Sequence, residues 1–516
     1  MSYAIPSHYD EPYLEQAAVQ QDLVFVPRSK LQWIPFLFPL LLTGISWMGG
    51  GTPALTDMGF TVFTILCGAY LIAEFLNFPR RFGIGGLVLW GGVLCWFCQD
   101  YFTHWFHRDF QDSPMPAVII AKAAFLHVCF VMLMSVGLSI DRGIWAEKLL
   151  LIVPDPGDDR FYLNVMLALA AFGISPYFLF NGPDQPWYSC MAHAMFAGWI
   201  GPPHFDVYRT GNLNYSWGGY VAQIMQVGEV SGIVSIVYTI LIAPTLMLRL
   251  LGASIWTFYA LVAFESGRRG NVAFNVLPPI ALLFIKYQAK AAAAFRTFSP
   301  KAFLICGALT VGMQFLVQFQ GTFRDSGFAN ANLSQLSLTA NQGNTMFSEG
   351  LLGYAMIPDV RPFVYSADFP GEGFIVAMPK TVFDLVIGII PRALWHDKPV
   401  DELWEWYNNV YQGTGREGTT ISKGLVGSWY FKYGIGGLVE GGILMGWLMG
   451  LAERGLQHSE GKPIHILFSL AFATWLFRTY RDFIFIDLYG LILGAICLYF
   501  LIPLMRPILG GSTMQQ

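Results

Sequence analysis

Charge is scarce in this chain: Lys, Arg, Asp and Glu make up only 12% of its 516 residues, about half the ~25% of ordinary soluble domains. The net charge of -4 is small and no run of like charges occurs, which excludes a nucleic-acid partner. A disulfide framework is also missing. Of the seven cysteines, Cys67, Cys95, Cys98, Cys129, Cys306 and Cys497 fall in apolar runs and only Cys190 lies in a loop,. Cys95 and Cys98 in "CWFC" have redox-motif spacing, but on an apolar helix they read as two small packing residues. HExxH, GxSxG, the phosphate-binding GxxxxGKS/T and cysteine–histidine metal spacings are all absent,. So is a DxD pair of the kind that holds a metal-bound nucleotide sugar, the nearest approach being "DPGDD" at 155–159.

What abounds is apolar sequence: 54% of residues are hydrophobic and 16% aromatic. Runs long enough to cross a ~30 Å hydrocarbon core are centred on 31–50, 58–78, 83–99, 116–139, 161–181, 302–319, 431–452, 463–478 and 484–505. The stretch 216–287 has room for three or four more, which predicts an all-α, polytopic transmembrane bundle of roughly 11 to 13 spans. Continuous apolar runs, without alternation, exclude a barrel. Residues 1–30 carry Asp10, Glu11, Glu15 and Asp22, which no cleavable signal peptide places before its apolar core. They read as a polar cytoplasmic tail, with the first span as insertion signal.

The positive-inside rule orients the rest. Arg28 and Lys30 precede the first run, Arg80 and Arg81 follow the second, and Arg142, Lys148 and Arg160 flank the connection after the fourth. Lys286, Lys290, Arg296 and Lys301 form another basic group. The expected organisation is a cytoplasmic tail (1–30), amino-terminal transmembrane helices (31–319), a large external loop with interfacial helices (320–425) and carboxy-terminal transmembrane helices (426–516). "ESGRRG" at 265–270 conflicts with this scheme, because one short apolar segment separates it from the basic group at 286–301. Either that segment is re-entrant or Arg268 and Arg269 sit at the outer face.

The scarce charge gathers in the external loop. Its cations are Arg324, Arg361, Lys380, Arg392, Lys398, Arg416 and Lys423. Its bases include Glu349, His396, Asp397, Asp401, Glu402, Glu405 and Glu417. "IIPRALWHDKPVDELWEW" (389–406) is the densest part. Pro391 can start a helical turn that places Arg392 and His396 together, and Pro399 stops it after Lys398. Anionic lipid diphosphates need cations, and a sugar hydroxyl that is to attack needs a carboxylate or imidazole beside it. A cluster that merely holds lipid headgroups would look the same in composition. Trp404, Trp406, Tyr407 and Tyr411 follow; such rings bind sugar faces but also populate membrane interfaces. Farther on, Gly434, Gly436, Gly437, Gly441 and Gly442 allow close helix packing, and Glu440 among them should face the protein interior. His127, within a span, reads as a packing histidine, and His104 and His107 are weaker base candidates.

"IIPRALWHDKP", followed by "GLVGSWYFKYGIGGLVEGGILMGWLMG", resembles the carboxy-terminal signature of Wzy-type O-antigen and oligosaccharide repeat-unit polymerases. Pro391, Arg392, Trp395, Lys398, Pro399, Tyr430, Gly434 and Gly437 match that signature, while His396 stands where proline is frequent and Ser428 where glutamate is. The resemblance implies a GT-C-like, metal-independent glycosyltransferase without cofactor, in the bacterial inner membrane with its active site facing the periplasm. Its substrate would be an undecaprenyl-diphosphate-linked oligosaccharide. Its partners would be membrane lipids, flippase and chain-length regulator proteins. The implied diphosphate ligands are Arg392, Lys398 and Arg416, with Arg324, Arg361, Lys423, Trp395 and Tyr430 completing the substrate site. Glu417, Asp397, His396 and Glu349 are the candidate bases, in that order. An O-antigen ligase shares this chemistry, and a flippase or exporter for lipid-linked sugars is the non-enzymatic rival, although transporters favour ionisable residues near the midplane and repeated halves.

Overall fold

Several prolines sit where a helix tolerates them, at or before its first turn, so the apolar stretches behind them can coil without losing a hydrogen bond. Pro35 lies in the short 3-10 turn Ile34–Phe36, Pro53 opens one helix and Pro463 opens another. The structure, a computed structural model, describes residues 29–81, 83–98, 101, 117–140, 159–179, 215–242, 245–265, 275–276, 278–279, 282, 395, 424–459 and 462–480. Among the described residues the elements are helical and none is a strand. In chain order they are α1 (Leu37–Met48), α2 (Pro53–Arg81), α3 (Ile84–Gly92, continued by a π-turn Val93–Cys98), α4 (Ala117–Ser139), α5 (Asp159–Leu179), α6 (Tyr215–Ile242), α7 (Leu246–Glu265), α8 (Gly424–Gln457) and α9 (Pro463–Arg478).

The centre of the packing is α8, which lies against α4, α3 and α9. Helices α4 and α8 run parallel and touch through glycine. A Cβ on Gly446 would overlap the Met134 carbonyl, one on Gly137 would overlap the Ile443 carbonyl, and one on Gly442 would lie 2.7 Å from Leu133 Cβ. Gly85 brings α3 equally close to Met449 of α8. Small residues at such crossings let dispersion contacts and backbone dipoles meet, the main source of cohesion where lipid removes the hydrophobic drive. Aromatic rings fill the next layer: Phe36 stacks on Trp90 at 5.5 Å and on Tyr70 at 5.8 Å, joining the start of α1 to α2 and α3. Tyr480, just beyond α9, donates its hydroxyl to the Leu89 carbonyl at 3.0 Å, and its own carbonyl accepts the Leu425 N–H at 3.0 Å. One buried tyrosine thereby ties the end of α9 and the start of α8 to α3.

A second group consists of α6 with α5 and α7, both antiparallel to it, and α6 also touches α9. Gly173 and Gly228 face each other, and the Tyr259 hydroxyl reaches over them to the Ala170 carbonyl at 2.7 Å. Arg160 therefore lies at the opposite end of this group from Glu265, the residue that opens "ESGRRG". The conflict between "ESGRRG" and the basic group at 286–301 falls on residues outside the described ones.

Among the described residues three helical segments are long and apolar enough to cross a membrane: Pro53–Asn77, Ala117–Ser139 and Gly434–Gln457. Large apolar side chains on α1, α2 and α7 point outward, among them Met48, Leu41, Ile65, Ile72, Leu246 and Met247. Meanwhile Thr43, Ser46, His127 and Ser235 are fully buried. Exposed oil around buried polar groups is what a bilayer solvent selects, and it marks this as a membrane protein. Two spans begin earlier than their apolar cores. The run at 58–78 is a helix from Pro53 to Arg81 because proline opens it and Asp57 finds a partner. The run at 431–452 starts at Gly424. The runs at 302–319 and 484–505 lie outside the described residues.

Replacing Gly446 by Ala forces α4 and α8 apart and should cost about 1–3 kcal/mol, whereas Gly91→Ala meets open space. Thermal denaturation of the detergent-purified protein, followed by size exclusion, should show a lower midpoint for the first variant only.

Candidate functional site

Charged and aromatic groups collect at the end of the bundle where α1 turns into α2. The turn is tight: Gly50 and Gly51 have φ of 80° and 88°, values that only glycine adopts readily. Gly51 also lies directly on the backbone of Val118, leaving no room for a side chain. Ser46 bridges the turn, donating to the Thr52 carbonyl at 2.7 Å with the Thr56 hydroxyl at 2.7 Å as well. That network brings Trp47, in the last turn of α1, over the second turn of α4.

Lys122 occupies that second turn. Its ammonium sits 5.7 Å from the ring centroid of Trp47 and 5.8 Å from that of Tyr430, so three helices meet on one cation. Both distances are within the ~6 Å over which a ring face attracts a cation. Tyr430 is almost wholly buried, in the second turn of α8. Nearby on α2, Asp57 accepts the Tyr101 hydroxyl at 2.7 Å, and Tyr101 stacks on Phe60 at 4.1 Å.

Helix α8 is shaped locally by its glycines. Gly424 enters with φ 69°, and Gly434 breaks the helix with φ 62° and ψ -146°, a conformation costly for any residue with a Cβ. The break redirects the chain between Tyr430 and the span below it. Trp429 then folds back on Gly441, whose Cβ position it fills. Two glycines of the signature-like segment thus have specific geometric duties. Glu440 is half-buried on the same helix, with Oε2 buried and lacking a hydrogen-bond partner among the described residues.

Of the candidate site residues, Tyr430 and Trp395 are described, Trp395 being half-buried. Arg324, Glu349, Arg361, Arg392, His396, Asp397, Lys398, Arg416, Glu417 and Lys423 lie outside the described residues. Tyr430 is thus placed against a cation that the reading of motifs passed over. Lys122 could have been found, being the one lysine in the apolar run "AVIIAKAAFLHVCFVMLMSVGLS"; charge is rare enough that each buried instance is a signal. His127 is a packing residue: fully buried, it donates from Nδ1 to the Ala123 carbonyl at 2.8 Å and meets Phe97 edge-on at 4.7 Å. Cys67 and Cys98 are buried free thiols in contact with each other, and Cys95 is a free thiol beside them.

A separate polar contact ties Asn275 to α6 and α7. Glu229, midway along α6, accepts the side-chain amide of Asn275 at 2.6 Å, while the Asn275 carbonyl accepts the Trp256 indole N–H at 3.0 Å.

Gly434→Ala should cost about 1–3 kcal/mol through backbone strain alone. Gly434→Asn should cost less, because asparagine tolerates positive φ better. Thermal midpoints of the two purified variants would give that order, and equal midpoints would mean that the break is not where the geometry puts it.

Comparison with known proteins returned no family model, no curated protein and no solved structure that matches this chain.

Proposed function

We propose that this chain is a polytopic glycosyltransferase of the bacterial inner membrane, GT-C-like in architecture, that polymerises oligosaccharide repeat units at the periplasmic face. It transfers a growing glycan from undecaprenyl diphosphate to the next lipid-linked unit. The observation that carries the reading is the meeting of Tyr430, part of the polymerase-like signature, with Lys122 and Trp47 at the end of α8. That is the end at which the charge-rich segment enters the bundle. The same orientation puts Arg28 and Lys30, ahead of α1, at the cytoplasmic side, and the α1–α2 turn outside.

In the reaction, the acceptor sugar hydroxyl attacks the anomeric carbon of the donor glycan. The C–O bond to the diphosphate breaks, the electron pair leaves with the diphosphate, and the hydroxyl proton passes to a base. Arg392, Lys398 and Arg416 stabilise the departing diphosphate by placing fixed positive charge where negative charge develops. Arg324, Arg361, Lys423 and Trp395 line the sugar and headgroup positions. The base comes from Glu417, Asp397, His396 and Glu349, a carboxylate or imidazole serving equally well in kind. A ligase that hands the glycan to a lipid A core uses the same steps with another acceptor.

A specific observation favours the transporter alternative. Glu229 is an ionisable group halfway along an apolar helix, hydrogen-bonded to Asn275, and mid-helix acids are frequent in flippases and exporters.

Purified protein supplied with lipid-linked repeat units in EDTA should build a glycan ladder, and Arg392→Ala, still monodisperse, should lose it by about 100-fold or more. Absence of a ladder together with movement of the lipid-linked sugar across vesicle membranes would replace the polymerase by a transporter.

A further inference from the structure

We propose that Cys67 and Cys98 are a redox-sensitive pair that a lipid-soluble hydroperoxide converts to a disulfide, stapling the middle of α2 to the π-turn that ends α3. This goes beyond the glycan chemistry above and does not depend on it. Of the four cysteines among the described residues, three gather here: the thiols of Cys67 and Cys98 are in hydrogen-bond contact, and Cys95 lies beside Cys98. The pairing crosses between helices and does not follow the "CWFC" spacing of the sequence. Side chains three apart on an α-helix keep their Cβ atoms about 5–6 Å apart, beyond the ~3.5–4.5 Å that a disulfide needs. The wider i→i+5 turn at Val93–Cys98 carries Cys98 still farther round the axis from Cys95, and its thiol meets Cys67 instead.

Depth selects the oxidant. Cys67 stands at the midpoint of Pro53–Arg81, about 21 Å from either end at 1.5 Å per residue. Both thiols are buried, Cys67 completely and Cys98 to 2% exposure. Burial in an apolar wall closes them to charged, water-borne oxidants. A hydroperoxide dissolved in the bilayer reaches that depth and enters when the π-turn opens locally. One thiol sulfur takes the outer peroxide oxygen, the O–O bond breaks, the thiol proton leaves with the alkoxide as an alcohol, and a sulfenic acid remains. The second thiol attacks that sulfur, the S–S bond forms, and the sulfenic hydroxyl departs with the second thiol proton as water. The resolving thiol is already in contact, so condensation is intramolecular. Tyr480 seats on the same stretch of α3: it packs against Gly92, lies 5.5 Å from Phe97 and donates to the Leu89 carbonyl. The staple therefore fixes α2 to the part of α3 that carries the α8 and α9 joint. It also closes the chain between residues 67 and 98 into a loop, which restricts the unfolded state and stabilises the folded one.

The test treats the full chain, reduced and held in lipid nanodiscs, with cumene hydroperoxide or with tetrathionate, a charged oxidant. The protein is then alkylated, digested without reductant and analysed by mass spectrometry. With cumene hydroperoxide a cross-linked Cys67–Cys98 peptide should dominate, disappear on reduction with dithiothreitol and persist in Cys95→Ser. The thermal midpoint of oxidised wild type should exceed that of the reduced protein by a few degrees, a rise absent from Cys98→Ala. The cross-link is read in wild type, so it decides the pairing even where Cys98→Ala fails to fold. Full alkylation of Cys67 and Cys98 after treatment, a Cys95–Cys98 peptide in place of the cross-helix one, or sulfenic and sulfinic acids without a link would each overturn the pair. A cross-link that leaves the midpoint unchanged or lowers it would overturn the staple. Equal cross-linking by tetrathionate would overturn the assignment to a lipid-soluble oxidant.

Discussion

Close approach of α4 and α8 is the constraint from which the rest of the described bundle follows. Gly137, Gly442 and Gly446 remove the side chains that would hold the two backbones apart. Because the helices then run parallel in contact, the second turn of one lies level with the second turn of the other. That register brings Lys122 to Tyr430. Any residue larger than glycine at the crossing would displace the cation from the ring as well as loosen the core. Packing and site geometry are therefore one problem in this chain.

The distribution of polar groups follows from the same apolar surroundings. A buried hydroxyl or charge in a bundle coated with exposed leucine, isoleucine and methionine has no water to fall back on. Local backbone carbonyls meet most of the need: Thr43, Ser235, Thr474 and His127 each donate to the carbonyl four residues earlier. The exceptions link distant parts of the chain. Gln32 donates to the Ser135 carbonyl, Tyr480 to Leu89, Tyr101 to Asp57 and Asn275 to Glu229. Each of these joins segments that sequence order alone would not pair.

Helix positions were legible because hydropathy is local. The runs at 116–139 and 463–478 correspond closely to Ala117–Ser139 and Pro463–Arg478. Boundaries set by a proline or by a distant partner were not: α2 extends back to Pro53 because Asp57 is held by Tyr101, a residue on another element. The glycines of α8 were legible as small, but Gly434 as a break and Gly441 as a seat for Trp429 depend on tertiary geometry. Tyr430 was singled out by its motif, whereas Lys122 carried no motif. Its meaning comes from Trp47 and Tyr430, which are far away in sequence and meet it only once the helices pack. The charge-rich segment from Arg392 to Lys423 belongs to the sequence argument, and its reading stands on the chemistry of its residues.

The central claim is that glycosidic bonds form here at the expense of a lipid diphosphate. The measurement that tests it most directly is the stoichiometry of undecaprenyl diphosphate released per glycosidic bond formed by the purified protein from defined lipid-linked repeat units. The account predicts one molecule released for each bond. Bond formation without release, or no bond formation by folded protein given both donor and acceptor, would contradict it.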